Sequence, residues 1–340
     1  MKAAIYNPYL DTLGGGERYT IAFAKVLQEE GYKVDIQWKS SGIRKKLEKR
    51  FGFELEQINI VKDIKRGDGY DVCFWLSDGS IPRLKARKNF LHFQFPFTDV
   101  NGKSLLNRMK FYRINEIICN SHFTKRCVDS EYGVNSRVIY PPIDVANLKP
   151  RKKENVILSV GRFSQLTQAK RQNVLIASFK RLHDRTNKNW RLILAGGAEV
   201  GADKYIKKLK NMIAGYPIEI IESPDYKKLL SLYGKAKIYW SASGYGIDGE
   251  KEPLKVEHFG ITVVEAMAAG AIPIVYNAGG HREIIRNNEN GYLWKKGQLI
   301  KLTEIIIKDK GKLRSLANRA HKDSKKYSYG KFKNNVESIL

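Results

Sequence analysis

The sequence predicts an α/β protein of two successive domains, each a parallel sheet with helices on both faces. Three observations lead there. Short apolar runs alternate with amphipathic stretches from residue 3 to residue 294, as parallel strands alternate with crossover helices. A polar, proline-marked break interrupts the alternation once, at Pro141-Pro142 and then Pro150-Arg151-Lys152-Lys153. The chain has 340 residues and 42% hydrophobic content, enough for two separate cores.

In order, residues 3–7 form the first strand. Gly14-Gly15-Gly16 then turns into a helix with Ile21, Ala22, Val26 and Leu27 on one face. Further strands follow at 34–38, 58–61, 72–76, 90–94 and 117–119, and Ser121 is placed to cap the next helix. After the break the pattern restarts at 156–160. It continues at 191–195, 218–221, 238–241, 272–276 and 291–294. Two Rossmann-like halves result, with a ligand expected at the carboxyl ends of their strands.

Composition narrows the function classes. No run approaches the ~18–20 apolar residues of a membrane span. Residues 1–7 turn polar too soon for a signal peptide and read as a buried strand. Cys73, Cys119 and Cys127 lack metal spacing, and an odd number of thiols in apolar runs suits a reducing cytoplasm. The net charge of +26 raises the question of nucleic acid. Residues 1–150 carry 25 basic and 17 acidic side chains, so +8; residues 151–340 carry 36 and 18, so +18. The cations are scattered over helices, as at Lys204, Lys207, Lys208 and Lys210, rather than interleaved with aromatics. No nucleic-acid partner is expected. Attraction to an anionic donor or an anionic membrane surface fits the field, as for a peripheral enzyme.

The densest chemistry lies between Glu257 and Glu265. The run Glu257-His258-Phe259-Gly260-Ile261-Thr262-Val263-Val264-Glu265 leads into Ala266-Met267-Ala268-Ala269-Gly270. A helix opening near Gly260 offers backbone N–H groups and partial positive charge, a natural seat for phosphate. Glu257 precedes that helix and reaches over the phosphates. Glu265 lies about one and a half turns inside it and reaches what is behind them. A sugar at each end of a pyrophosphate would touch both.

Arg162 ends the run Val160-Gly161-Arg162, where a guanidinium fork suits a diphosphate. Lys170 and Arg171 come eight and nine residues later, beyond Ser164-Gln165-Leu166-Thr167-Gln168-Ala169. These charges act where the leaving phosphate gains charge. No Asp-x-Asp motif occurs, so transfer is expected to need no metal, and no cofactor beyond the donor itself. The glycines of Gly14-x-Gly16 make a poor dinucleotide fingerprint, with Tyr19 where a third glycine belongs. Gly15 and Gly16 either admit donor phosphates to the backbone or make a tight strand-to-helix turn.

These segments resemble the retaining glycosyltransferases of family 4, which carry Glu-x7-Glu with Phe-Gly-Ile after the first glutamate. Tyr140-Pro141-Pro142-Ile143-Asp144, Val160-Gly161-Arg162-Phe163, Leu194-Ala195-Gly196-Gly197 and Asn290-Gly291-Tyr292-Leu293 follow the family's order, after Gly14-Gly15-Gly16-Glu17-Arg18 at its first glycine loop. The resemblance spans nearly the whole chain. It implies the GT-B fold, two Rossmann-like domains facing each other across a cleft, with an acceptor domain at 1–148 and a nucleotide-sugar domain at 149–326. It also implies that residues 327–340 pack back on the first domain.

The implied activity is retaining transfer of a hexose from a nucleotide-diphosphate sugar to a glycan or lipid-linked acceptor, in the cytoplasm or on the inner face of the membrane. Motifs akin to the lipid-linked-oligosaccharide mannosyltransferases put mannose first, from a GDP- or UDP-sugar. Glu257 is the implied catalytic residue, with His92 in support, facing the donor sugar. Arg162, Lys170, His258, Phe259, Gly260, Ile261, Thr262 and Glu265 hold the donor, Glu265 on the ribose, with Gly15 and Gly16 opposite. The glycine-rich stretch 244–256 is longer than in most of the family and reads as an acceptor-contacting flap or a solvated loop. The rival readings are a GT-B nucleotide-sugar epimerase and a non-enzymatic basic protein binding nucleic acid or anionic membrane.

Overall fold

The computed structural model describes residues 1–165, 168–186, 189–199 and 201–340. These form two compact units, 1–142 with 329–340, and 143–328. The first unit contains β1 Lys2–Tyr6, α1 Gly15–Glu29, β2 Lys33–Gln37, α2 Ile43–Phe51, β3 Asn59–Val61, β4 Val72–Leu76 and β5 Lys88–Phe93. It continues with α3 Leu105–Phe111, β6 Glu116–Cys119, α4 His122–Tyr132 and β7 Arg137–Val138. The second holds β8 Glu154–Val160, α5 Gln172–Arg185, β9 Arg191–Gly196, α6 Asp203–Met212, β10 Ile218–Glu222, α7 Tyr226–Lys235 and β11 Ala236–Ser241. Next come α8 Ile261–Ala268, β12 Ile272–Tyr276, α9 His281–Ile284, β13 Tyr292–Trp294, α10 Leu299–Lys308 and α11 Lys310–Ser324. The last helix, α12 Tyr329–Glu337, belongs to the first unit.

Both sheets are parallel. Their orders are β3-β2-β1-β4-β5-β6-β7 and β10-β9-β8-β11-β12-β13. The order reverses beside β1 and beside β8, so each unit opens a crevice at the carboxyl end of its first strand. Gly14–Gly16 follows the first of these strands and Gly161-Arg162 the second.

Each sheet is buried on both faces, which is why its strands read as continuous apolar runs rather than alternating ones. Ala3, Ala4 and Ile5 of β1 and Val156, Ile157 and Leu158 of β8 are all core. In the first unit α12 lays Phe332 and Val336 on the cluster around Tyr19 and Phe23, Phe332 meeting Tyr19 edge-on at 5.1 Å. Ser121 caps α4, its hydroxyl accepting from Thr124 N at 3.0 Å.

The units divide at Pro142, six residues before the boundary drawn from sequence. Ile143 N already donates to Tyr327 O, and the Tyr226 hydroxyl meets Asp144 Oδ2 at 2.5 Å, both inside the second unit. The prolines, not the lysine run, mark the break.

Candidate active site

The second unit gathers Glu257, Lys170, His258 and His281 around one carboxylate. Lys170 Nζ donates to Glu257 Oε2 at 2.7 Å, with side chains 20% and 15% exposed. Gly161 makes room for this reach, since a Cβ there would come within 2.8 Å of Lys170 Cγ. Burial pushes the Glu257 carboxyl up, but the Lys170 ammonium and the nearby imidazoles of His281 and His258 outweigh it and hold the pKa at about 2. Glu257 is therefore a carboxylate at any physiological pH. Burial lowers His258 to about 4 and lowers His281 as well. His258 Nδ1 lies 2.6 Å from Gln168 Nε2, and His281 Nδ1 lies 2.8 Å from Tyr276 O.

Two glycines wrap the loop after β12 against this cluster. A Cβ on Gly279 would lie 2.1 Å from Glu257 O, and one on Gly280 would lie 2.4 Å from His258 O. Gly280 N instead donates to Glu257 O at 2.7 Å. Gly260 stands at φ +115°, a conformation that L side chains rarely adopt. It turns the chain from Glu257 into α8, whose internal bonding begins with Val263 N and Val264 N on Gly260 O. The N–H groups ahead of these project from the helix start, and the first turn carries no acidic side chain.

The remaining expected donor residues divide by what they touch. Arg162 is half exposed, its guanidinium 3.9 Å from Glu199 Oε1, while its carbonyl accepts from Gln172 Nε2. Glu265 accepts a hydrogen bond from the buried Tyr233 hydroxyl at 2.8 Å. Thr262 Oγ1 lies 2.8 Å from the Tyr239 hydroxyl, so its side chain is engaged within the unit. Phe259 is buried, its ring edge-on against Tyr327 at 5.3 Å. Lys170, and not Arg171, reaches Glu257; Arg171 sits at the N-cap of α5 at φ +53°. Leu166 and Thr167 of the intervening stretch lie outside the described residues.

Stretch 244–256 is held against the carboxyl ends of β12 and β13. Tyr245 packs on Tyr276 and Trp294 at 5.3 and 5.6 Å, and Pro253 and Val256 are buried. Gly246, Asp248, Glu250 and Lys251 remain exposed.

In the first unit Gly14 is the N-cap of α1, and Gly15 and Gly16 open its first turn. Glu17, buried in the first turn of α1, accepts from Gly14 N and the Thr12 hydroxyl, each at 2.7 Å. A Cβ on Gly16 would press on Gln94 at 3.3 Å. His92 is fully buried, stacked on Tyr19 at 4.0 Å, with Nε2 3.0 Å from Gln94 Oε1. Burial lowers its pKa to about 4. Its ring is thus a neutral core group that fixes Gln94.

Sequence reasoning had assigned no role to Gln168, Tyr233, Gly279, Gly280 or His281. The Gly279-Gly280-His281 step was the available signal, because adjacent glycines mark a close backbone approach.

Residues 142–323, more than half of the chain, match the family described as glycosyl transferases group 1. The chain belongs to that family. Over 182 residues it is 30% identical to a GDP-Man:Man(3)GlcNAc(2)-PP-Dol alpha-1,2-mannosyltransferase of Dictyostelium discoideum, covering 48% of this chain. The match spans only 33% of that relative's length. The alpha-1,3/1,6-mannosyltransferase ALG2 of Yarrowia lipolytica is 23% identical over 380 residues, 88% of this chain and 82% of that one. Among solved structures, Anabaena Alr3699/HepE in complex with UDP superposes with a TM-score of 0.78 at 17% identity, covering 100% of this chain and 99% of that one. A glycosyltransferase from Rickettsia africae ESF-5 reaches 0.77 at 19% identity, covering 99% and 97%. The fold is GT-B, with Rossmann-like domains of seven and six strands.

Proposed function

We propose that this glycosyltransferase moves a hexose, mannose first, from a nucleotide-diphosphate sugar to a glycan or lipid-linked acceptor, with retention and without a metal. The observation that carries this reading is the largely buried, ionised Glu257 beside Lys170, just ahead of a helix start free of acidic charge. The bond from anomeric carbon to diphosphate oxygen breaks, and that oxygen takes the electron pair. The acceptor hydroxyl then bonds to the same face of the sugar and gives its proton to the departing diphosphate oxygen. Glu257 offsets positive character at the anomeric carbon. Lys170 keeps Glu257 ionised and, with Arg162 and the backbone from Phe259 to Thr262, offsets charge on the leaving diphosphate. Glu265 grips the ribose diol, held in place by Tyr233. His92 positions Gln94 and acts from the core.

The mannosyltransferase names of the relatives support GDP-mannose and a lipid-linked glycan. A specific observation favours a second donor, because related structures contain UDP and UDP-glucose. The chain's charge and the scattered cations support work at an anionic membrane surface on the cytoplasmic side. Among the described residues no helix is long and apolar enough to cross a membrane.

A thermal-shift panel of GDP-, UDP- and dTDP-sugars, with and without EDTA, tests this. GDP-mannose at about 100 times its Kd is expected to add about 2.7 kcal/mol of apparent stability. A shift only with UDP-glucose exchanges the donor assignment. No shift with any sugar nucleotide, or turnover strictly dependent on magnesium or manganese, defeats the proposal.

A further inference from the structure

We infer that segment 100–113 of the first unit is a docking surface for an anionic lipid bilayer, which receives the apolar ridge of α3. The inference deepens the membrane part of the reading above and rests on it for its biological setting.

Among the described residues, seven large hydrophobic side chains are exposed, and five lie between residues 100 and 112. Leu105 is 75% exposed, Leu106 65%, Met109 58% and Tyr112 92%, with Val100 at the edge. Leu105, Met109 and Tyr112 fall at i, i+4 and i+7, so they share one face of the helix. Exposed apolar groups are ordinary when scattered; here they are contiguous on one short element.

The ridge is not loose chain. Glu131 accepts from the backbone N–H groups of Asp99, Val100 and Gly102, each at 3.1 Å. Gly102 packs so closely on α4 that a Cβ would lie 2.6 Å from the Tyr132 ring. Ser104 caps the helix at Asn107 N, and Phe111 meets Tyr132 edge-on at 6.2 Å. The inward side is thus satisfied by Phe111 and Ile114, and the fold holds the larger apolar side outward.

Charge identifies the occupant. Residues 100–115 contain Lys103, Arg108, Lys110 and Arg113 and no acidic residue. At ~100° per residue, Arg108 and Arg113 flank the ridge on opposite sides. Apolar side chains bordered by cations match a bilayer with anionic headgroups, where acyl boundary and phosphates are met together. A water-soluble acidic partner would leave the ridge unmatched, and a second copy of this chain would bring like charges together.

The test is flotation of the full chain with vesicles of phosphatidylcholine alone or phosphatidylcholine with phosphatidylglycerol. Wild type is expected to float with the anionic vesicles only, and less as salt rises. The triple variant Leu105→Ser, Met109→Ser, Tyr112→Ser is expected to bind at least about tenfold more weakly, with unchanged thermal unfolding because these side chains are exposed. The pair Arg108→Glu, Arg113→Glu is expected to lose binding with the ridge intact. If the triple variant binds as wild type does, diffuse charge explains the association and the inference fails. It also fails if wild type ignores both vesicles, or if sedimentation finds a dimer that the triple variant abolishes. Turnover of nucleotide sugar on a water-soluble acceptor, measured in parallel, is expected to be unchanged in the triple variant. Its absence in every form refutes the transferase reading and leaves the flotation result standing.

Discussion

Helix α1 of the first unit and helix α8 of the second both begin at a glycine, yet they treat the positive end of the helix in opposite ways. In α1 the first turn supplies its own anion: Glu17 is 4% exposed and bonds Gly14 N and the Thr12 hydroxyl. In α8 the first turn is Ile261-Thr262-Val263, without an acid, and the carboxylate that precedes it is engaged by Lys170. A helix N-terminus that is neutralised from within is structure; one whose first turn has no acid keeps its partial positive charge for an anion from outside the helix. Glycines alone do not separate the two cases. The acid in the first turn does.

The sharpest way to break this comparison is at the two glutamates of the second unit. Glu257→Gln removes the charge that meets the developing cation, so kcat is expected to fall roughly 10²–10³-fold with a smaller change in KM. Glu265→Gln weakens charged hydrogen bonds to the ribose, so KM for the donor is expected to rise by the equivalent of roughly 1–3 kcal/mol. Donor titrations at saturating acceptor read both. Near wild-type kcat in Glu257→Gln with none in Glu265→Gln would reverse the roles. Full activity in both would remove the site.

In the first unit the expectation is the opposite kind of effect. Glu17→Gln should cost about 1–3 kcal/mol of stability, since a buried charge-assisted network is disturbed, and should leave donor KM unchanged. Urea unfolding and donor titration on the same variant decide it. Weakened donor binding at full stability would mean that the Gly14–Gly16 turn also serves the donor.

Acid provides a smaller, graded contrast. Folding holds His92 and His258 at about 4 against an ordinary 6.5, and lowers His281 as well. As pH falls, the unfolded chain takes up protons that the folded one refuses. The stability these groups contribute is therefore complete above pH 6.5 and is lost as pH falls toward 4. Glu257, at about 2 against 4.5, keeps its contribution above pH 4.5 and loses it as pH falls toward 2. The second unit holds two of the three histidines and the glutamate. Hydrogen exchange of the full chain at decreasing pH is expected to find 143–328 opening before 1–142. The reverse order would relocate the acid-sensitive groups.

The sheet strands were legible because burial on both faces writes them as apolar runs, and 72–76 and 272–276 coincide with β4 and β12. The two-residue β7 was not legible, being too short to carry a period, and neither was α3, whose apolar side faces out. In the site, Glu257 and Lys170 were legible through spacing and resemblance. Tyr233 and His281 were not, because they come from α7 and from the start of α9, and only the folded chain brings them to α8 and Glu257.

Helix α12 has one more consequence, for synthesis. It contributes Phe332 and Val336 to the core of the unit that contains Tyr19 and Phe23, yet 186 residues of the other unit, 143–328, separate it from Pro142. At about 5–20 residues per second, a ribosome needs on the order of 10–40 s to deliver it after Pro142 has been made. Through that interval the nascent first unit lacks Phe332 and Val336 from its core, and the side of Tyr19 that Phe332 meets stays exposed to water or to a chaperone.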